Sequence, residues 1–189
     1  MREIEVKAKV KDKEILLQAL QNAGCELGDP IVQEDTVYVR NVGNLETFLA
    51  NDYFLRIREC DDGSVYFTFK KPKSNRLPKV DSLDKVEYEM KIDNKEACVG
   101  ILGELGFSKQ VYTKKSRRKA KWNSHEICVD EAENLGTFIE IEKMAGEDEN
   151  IEDVEKELLK ILVFLGVDLD DRIMQGYDIL TIMNGESKY

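Results

Sequence analysis

Polar and apolar positions alternate along much of this chain. In the opening MREIEVKAK, Glu3, Glu5 and Lys7 alternate with Ile4, Val6 and Ala8, and alternate residues of a strand share one face. The same period of two predicts eight strands, over 2–10, 34–41, 53–60, 64–71, 85–93, 110–121, 125–130 and 137–144. CDDGS (60–64) and KWNSHE (121–126) read as tight connections. Helical spacing is found over 11–24, with Ile15, Leu16, Ala19, Leu20 and Ala23 on one face, over 94–106, and over 151–166, with the stripe Val154, Leu158, Ile161, Leu162 and Leu165. A short fourth helix is expected over 171–183. The segments 40–52 and 72–84 read as loops, the second holding Pro72 and Pro78. Long loops in a compact domain often act as lids. The order strand, helix, strands occurs twice, each time opened by an E-x-E strand, Glu3/Glu5 and then Glu87/Glu89.

A half-buried strand normally turns its polar face to water. Here six strands keep charged or polar pairs on one face: Glu3/Glu5/Lys7, Arg56/Arg58, Thr68/Lys70, Glu87/Glu89/Lys91, Lys115/Arg117/Lys119 and Glu140/Glu142. With helices covering the apolar face, the polar face lines the concavity of the sheet. The expected fold is therefore α+β, a closed eight-stranded antiparallel β-barrel, or tunnel, with a charged interior and flanking helices. Its interior would hold the carboxylates Glu3, Glu5, Glu140 and Glu142, with Glu87, Glu89 and Asp130, and the bases Lys7, Arg56, Arg58, Lys70, Lys115 and Arg117. Clustered carboxylates suit hard divalent cations such as Mg²⁺ or Mn²⁺. Clustered arginines and lysines suit phosphate. Both together suit a metal-bound polyphosphate.

Composition narrows the class. The 189 residues are 42% hydrophobic and 35% charged, as in a polar globular protein, and are read as a single domain over 1–189. No apolar run is long enough for a transmembrane helix, and MREIEVKAK lacks the apolar core of a signal peptide. Cys25, Cys60, Cys98 and Cys128 form no C-x-x-C pair, so reduced thiols in a cytoplasmic protein are expected. The net charge of −10 disfavours nucleic acid and acidic membranes as partners, although KKSRRKAK (114–121) concentrates bases in one place. His125, the one histidine, falls in a turn and is read as a surface residue. Trp122 and Tyr177 are read as packing residues.

Taken in order, these elements resemble the CYTH superfamily, the triphosphate tunnel metalloenzymes. The resemblance rests on E-x-E-x-K at Glu3, Glu5 and Lys7, LRIR at 55–58, TFKKP at 68–72, the second E-x-E at Glu87/Glu89, K-x-R at Lys115/Arg117, and VDEAENLGTFIEIE at 129–142. The layout QEDTVY…LRIRE, the segment LGTFIEIE and the closing QGYDILTIM are most similar to the class IV adenylyl cyclase branch. The resemblance implies a Mg²⁺- or Mn²⁺-dependent enzyme with ATP as substrate, yielding cyclic AMP and pyrophosphate. The alternatives are hydrolysis of inorganic triphosphate, thiamine triphosphate or a nucleotide, and non-catalytic polyphosphate binding. It implies Glu3, Glu5, Asp130, Glu140, Glu142, Glu87 and Glu89 as metal ligands, and Lys7, Arg56, Arg58, Lys70, Lys115 and Arg117 as the phosphate clamp. Within that set the resemblance implies Lys7, Arg58, Lys70, Lys115 and Arg117 as the catalytic residues. A homodimer is left open.

Overall fold

The computed structural model describes residues 2–72, 85–146 and 148–185. The expected loop 72–84 lies almost wholly outside these. The elements run β1 (Arg2–Lys9), α1 (Lys13–Asn22), β2 (Ile31–Val39), α2 (Leu45–Leu49), β3 (Phe54–Cys60), β4 (Val65–Pro72), β5 (Lys85–Lys91), α3 (Lys95–Glu104), β6 (Ser108–Trp122), β7 (His125–Ala132), β8 (Gly136–Ala145), α4 (Ile151–Phe164), β9 (Arg172–Ile173) and α5 (Tyr177–Met183). Asp12, Asn44, Asn94 and Asn150 start α1 to α4 by accepting backbone N–H groups of the first turn, which would otherwise lack partners. The hairpin at CDDGS turns on Gly63 at φ +81°, and the β6–β7 turn on Asn123 at φ +54°, positions that glycine and asparagine tolerate.

The strands follow one another as β5-β4-β3-β2-β6-β7-β8-β1-β9. The registers of β1 with β8 and β9, β2 with β3, β3 with β4, β4 with β5 and β7 with β8 are all antiparallel. The closed eight-stranded barrel expected from the sequence is thereby corrected. There are nine strands among the described residues, and the order ends at β5 and β9, which do not pair with each other. The ninth strand is two residues long, too short to carry a period of two. The helix expected over 171–183 divides into a 3₁₀ turn at Leu169–Asp171, β9 and α5. The expected loop 40–52 contains α2, one turn fixed by the Asn44 cap.

The chain forms two compact units, 1–30 with 116–174 and 31–115 with 175–189. Each has the same plan: a three-stranded meander, then an E-x-E strand beside its last member. In the first unit these are the later part of β6, β7, β8 and β1; in the second, β2, β3, β4 and β5. The two halves read in sequence are thus not the two units. Each E-x-E strand completes the meander of the other half of the chain.

In the first unit Ile4, Val6 and Ala8 of β1, Ile127 and Val129 of β7, and Ile139 and Ile141 of β8 pack with Leu16 and Leu20 of α1 and with Val154, Leu158 and Leu162 of α4. Each fully buried valine, leucine or isoleucine side chain of this set contributes about 1.5–3 kcal/mol. In the second unit Leu55 and Ile57 pack with Leu102 and Phe107. Val37, Val39 and Val111 pack with Phe48 of α2 and with Ile179 and Ile182 of α5. In β1, β3, β7 and β8 this commits the alternate set to the opposite face, whereas Val37 and Val39 share the parity of Asp35, and Val111 that of Lys115, so α2 and α5 pack on the polar face of the second unit.

Candidate functional site

On the first unit the uncovered face carries Glu3, Glu5 and Lys7 of β1, Glu140 and Glu142 of β8, Glu126, Cys128 and Asp130 of β7, and Arg117 and Lys119 of β6. Register sets Glu5 opposite Glu142 and Lys7 opposite Glu140, and sets Glu126 opposite Glu142 and Cys128 opposite Glu140. Lys7 Nζ lies 2.9 Å from Glu140 and 3.5 Å from Glu5. Arg117 donates from Nε and Nη2 to the two oxygens of Asp130, at 2.7 and 2.5 Å. Its Nη2 also bonds Glu140, and its Nη1 lies 3.9 Å from Glu142. Burial would lower the pKa of Lys7 and of Arg117, but the carboxylates around them raise both.

Acids outnumber bases on this face, and Glu142 shows it. Burial first, then the charges of Glu140, Glu3 and Glu5, push its carboxyl up to about 8, against the pull of Arg117. Like charges opposite each other in a ladder are destabilising unless a cation joins them. The donor set fits a hard divalent ion in its chemistry: Glu3, Glu5, Glu140 and Glu142 are all carboxylates. Glu126, Cys128 and Glu142 also bring their ligand atoms within 4.8 Å of one another. Burial pushes the Cys128 thiol up, so it stands protonated.

A pH dependence follows for the metal-free protein. The folded state holds the Glu142 proton more tightly than an ordinary carboxyl at 4.5 does. The contribution of this group is therefore kept below about 4.5 and is lost as pH rises toward about 8. Melting temperature is expected to fall across that window, Mn²⁺ to restore most at its upper end, and Glu142→Gln to flatten the slope. An unchanged slope in Glu142→Gln would remove Glu142 as its source.

On the second unit the corresponding face is richer in bases: Arg56 and Arg58 of β3, Lys70 of β4 and Lys115 of β6, against Asp35 of β2 and Glu87 and Glu89 of β5. Arg58 donates from Nε and Nη2 to Asp35, both at 2.7 Å. Arg56 Nη2 donates to Thr68 Oγ1 at 3.1 Å, to Glu87 at 3.3 Å and to Glu89 at 2.9 Å, while Thr68 donates to Glu89 at 2.9 Å. Lys70 Nζ lies 2.9 Å from Glu87. Among the described residues Arg56 Nε is buried with no hydrogen-bond partner, a donor of the kind an anion oxygen satisfies. Lys115 Nζ sits 4.6 Å from the centre of the Tyr177 ring, a cation–π contact.

The structure brings the sequence-derived residues together in two sets. Glu3, Glu5, Lys7, Arg117, Asp130, Glu140 and Glu142 share the first face; Arg56, Arg58, Lys70, Lys115, Glu87 and Glu89 share the second. Within TFKKP, Lys70 shares the face of Thr68, while Lys71 is exposed. Arg118 turns away from Arg117 and donates to the carbonyls of Leu27 and Gly28. The surface reading of His125 is corrected. It is 7% exposed, and its Nε2 lies 2.8 Å from Glu157 of α4, on the side of the helices and away from the polar face. Trp122 packs by stacking on Phe164. Asp35, Glu126 and Cys128 were absent from the sequence-derived set. Extending the alternation of β7 back from Asp130 reaches Cys128 and Glu126. Asp35 is distinguished from Glu34 by register alone.

Acids gather on the strand face of the first unit, and bases outnumber acids on that of the second. The chain belongs to the CYTH domain family, whose model matches residues 1–177. It is 32% identical over 177 residues to a Methanocaldococcus jannaschii protein named "putative adenylate cyclase", covering 94% of this chain and 97% of the relative. A solved structure from Pyrococcus horikoshii OT3 is 27% identical with a TM-score of 0.79, covering 96% of this chain and 99% of that one. A Hippeastrum "putative adenylyl cyclase", described as having a dominant triphosphatase activity, is 19% identical with a TM-score of 0.62 over 97% of this chain and 96% of that one. No helix among the described residues is long and apolar enough to cross a membrane.

Proposed function

We propose that this protein is a metal-dependent enzyme acting on a triphosphate, and that it converts ATP to cyclic AMP and pyrophosphate. The observation that carries the reading is the division of charge. Glu5 opposes Glu142 and calls for a cation, while the second unit presents Arg56, Arg58, Lys70 and Lys115, with an Arg56 donor that has no partner among the described residues.

Glu3, Glu5, Glu140 and Glu142 would hold Mg²⁺ or Mn²⁺, which when bound screens phosphate charge and acidifies a hydroxyl near it. Arg56, Arg58, Lys70 and Lys115 bind phosphate oxygens and orient the α-phosphorus, with Lys7 and Arg117 as the bases of the acidic face. Phosphoryl transfer asks mainly for such positioning and charge stabilisation. In cyclisation the ribose 3′-oxygen forms a bond to the α-phosphorus, the bond to the α–β bridging oxygen breaks, pyrophosphate leaves, and the hydroxyl proton passes to a base. His125 is not that base, since it is bound to Glu157 on the helix side. Asp130 is engaged by Arg117, and Glu87 and Glu89 by Arg56 and Lys70. Glu140 also meets Lys7 and Arg117, but it shares β8 with Glu142 and its charge acts on that carboxyl; we assign Asp130, Glu87 and Glu89 to holding bases in place.

The cyclase reading draws on the name of the 32% identical relative. The triphosphatase reading draws on the Hippeastrum neighbour, and shared fold does not choose between them. Incubation with ATP, inorganic triphosphate and thiamine triphosphate in Mn²⁺, read by product mass, decides. Cyclic AMP with pyrophosphate is expected. ADP with orthophosphate, or turnover of inorganic triphosphate alone, would put hydrolysis in its place, and metal-dependent binding without turnover would leave a receptor.

A further inference from the structure

Asp35 occupies an unusual position for a carboxylate. It is 8% exposed on a strand face whose neighbours are bases. Arg58 lies directly opposite on β3 and donates to both its oxygens at 2.7 Å. Arg56 Nη1 lies 3.7 Å from the same carboxylate. Burial alone would raise the Asp35 pKa, but Arg58, Arg56 and Lys115 hold it well below the usual carboxylate range. A negative charge among phosphate-binding groups weakens their field at a distance. It also limits the repulsion among those bases, and two parallel hydrogen bonds fix a guanidinium plane as a single one does not.

We propose that Asp35 is a positioning residue for triphosphate binding: it fixes the plane of the Arg58 guanidinium through the two parallel hydrogen bonds. This rests on the reading of the second unit's polar face as the phosphate-binding face. The two possible effects of the carboxylate have opposite signs. As a mere counter-charge, its neutralisation should tighten anion binding. As a positioning group, its neutralisation should weaken binding although the face becomes more positive.

The test is calorimetric titration of inorganic triphosphate into the metal-free full chain. Asp35→Asn and Arg58→Lys are each expected to weaken binding about tenfold, the worth of one charge-assisted hydrogen bond. The double variant is expected to be no weaker than Arg58→Lys alone, because Asp35 acts through Arg58. Tighter or unchanged binding by Asp35→Asn would overturn the proposal, as would additive losses in the double variant. If Asp35→Asn does not fold, Asp35→Glu carries the test. It keeps the charge and lengthens the arm, so wild-type affinity there would overturn the positioning role, and a several-fold loss would support it. A wild-type protein that binds no triphosphate would instead remove the phosphate-face reading, and this proposal with it.

Discussion

Glu5→Gln is expected to lower Mn²⁺ affinity by about 10–100-fold or more and to remove metal-dependent turnover, while leaving the fold intact. Glu5 faces Glu142 across the β1–β8 ladder, and its carboxylate is one of the charges that push the Glu142 pKa up. An amide keeps its size but not its charge, and a hard divalent ion loses an anionic oxygen that a neutral group does not replace. Removing even an outer-shell partner typically costs 10–100-fold in metal affinity. The fold should survive because Lys7, the ion-pair partner of Glu5 at 3.5 Å, keeps the nearer Glu140 at 2.9 Å. Titration of the metal-free variant with Mn²⁺, alongside circular dichroism, checks both halves. Wild-type affinity would exclude Glu5 as a ligand.

Arg117→Met is expected to be the most destabilising of these substitutions. Asp130 has no exposed surface and Glu140 is 4% exposed; both depend on the Arg117 guanidinium. Removing one partner of a buried charged group leaves the others short of compensation, at a cost of about 3–5 kcal/mol. For a chain of this length that corresponds to a fall of roughly 10 °C in melting temperature. The deficit should narrow as pH is lowered toward 5, where the stranded carboxylates take up protons. Arg118→Met is the control. Arg118 bonds the carbonyls of Leu27 and Gly28, and a change of less than about 1 kcal/mol is expected. Equal losses in the two variants would show that the Arg117 network has no special weight.

The alternation that made both polar faces legible is a local property. Ile4, Val6 and Ala8 commit Glu3, Glu5 and Lys7 to the other side of β1 wherever that strand is placed. Partnership is not local. E-x-E reads identically at Glu3/Glu5 and Glu87/Glu89, but register places Glu5 against a carboxylate and Glu87 against Lys70, so the same motif faces a cation-poor ladder in one unit and bases in the other. Asp35 was hidden for the same reason, since QEDTVY offers two adjacent acids and only pairing with Arg58 selects one. His125 was misread because its partner, Glu157, arrives on a helix from well along the chain. α2 and β9 were too short to show any period.

The exchange of E-x-E strands between the halves of the chain sets an order of events during synthesis. β2, β3, β4 and β5 pair with neighbours in sequence and can close as they leave the ribosome. β1 is made before all of them, yet its ladder partner β8 emerges only after most of the chain has been translated. Contacts between such distant segments raise contact order and slow folding. Until β8 arrives, the early cover of Ile4, Val6 and Ala8 among the described residues comes from α1 and from Cys25 just after it, so the nascent first unit is the place where chaperone capture or misassembly would begin.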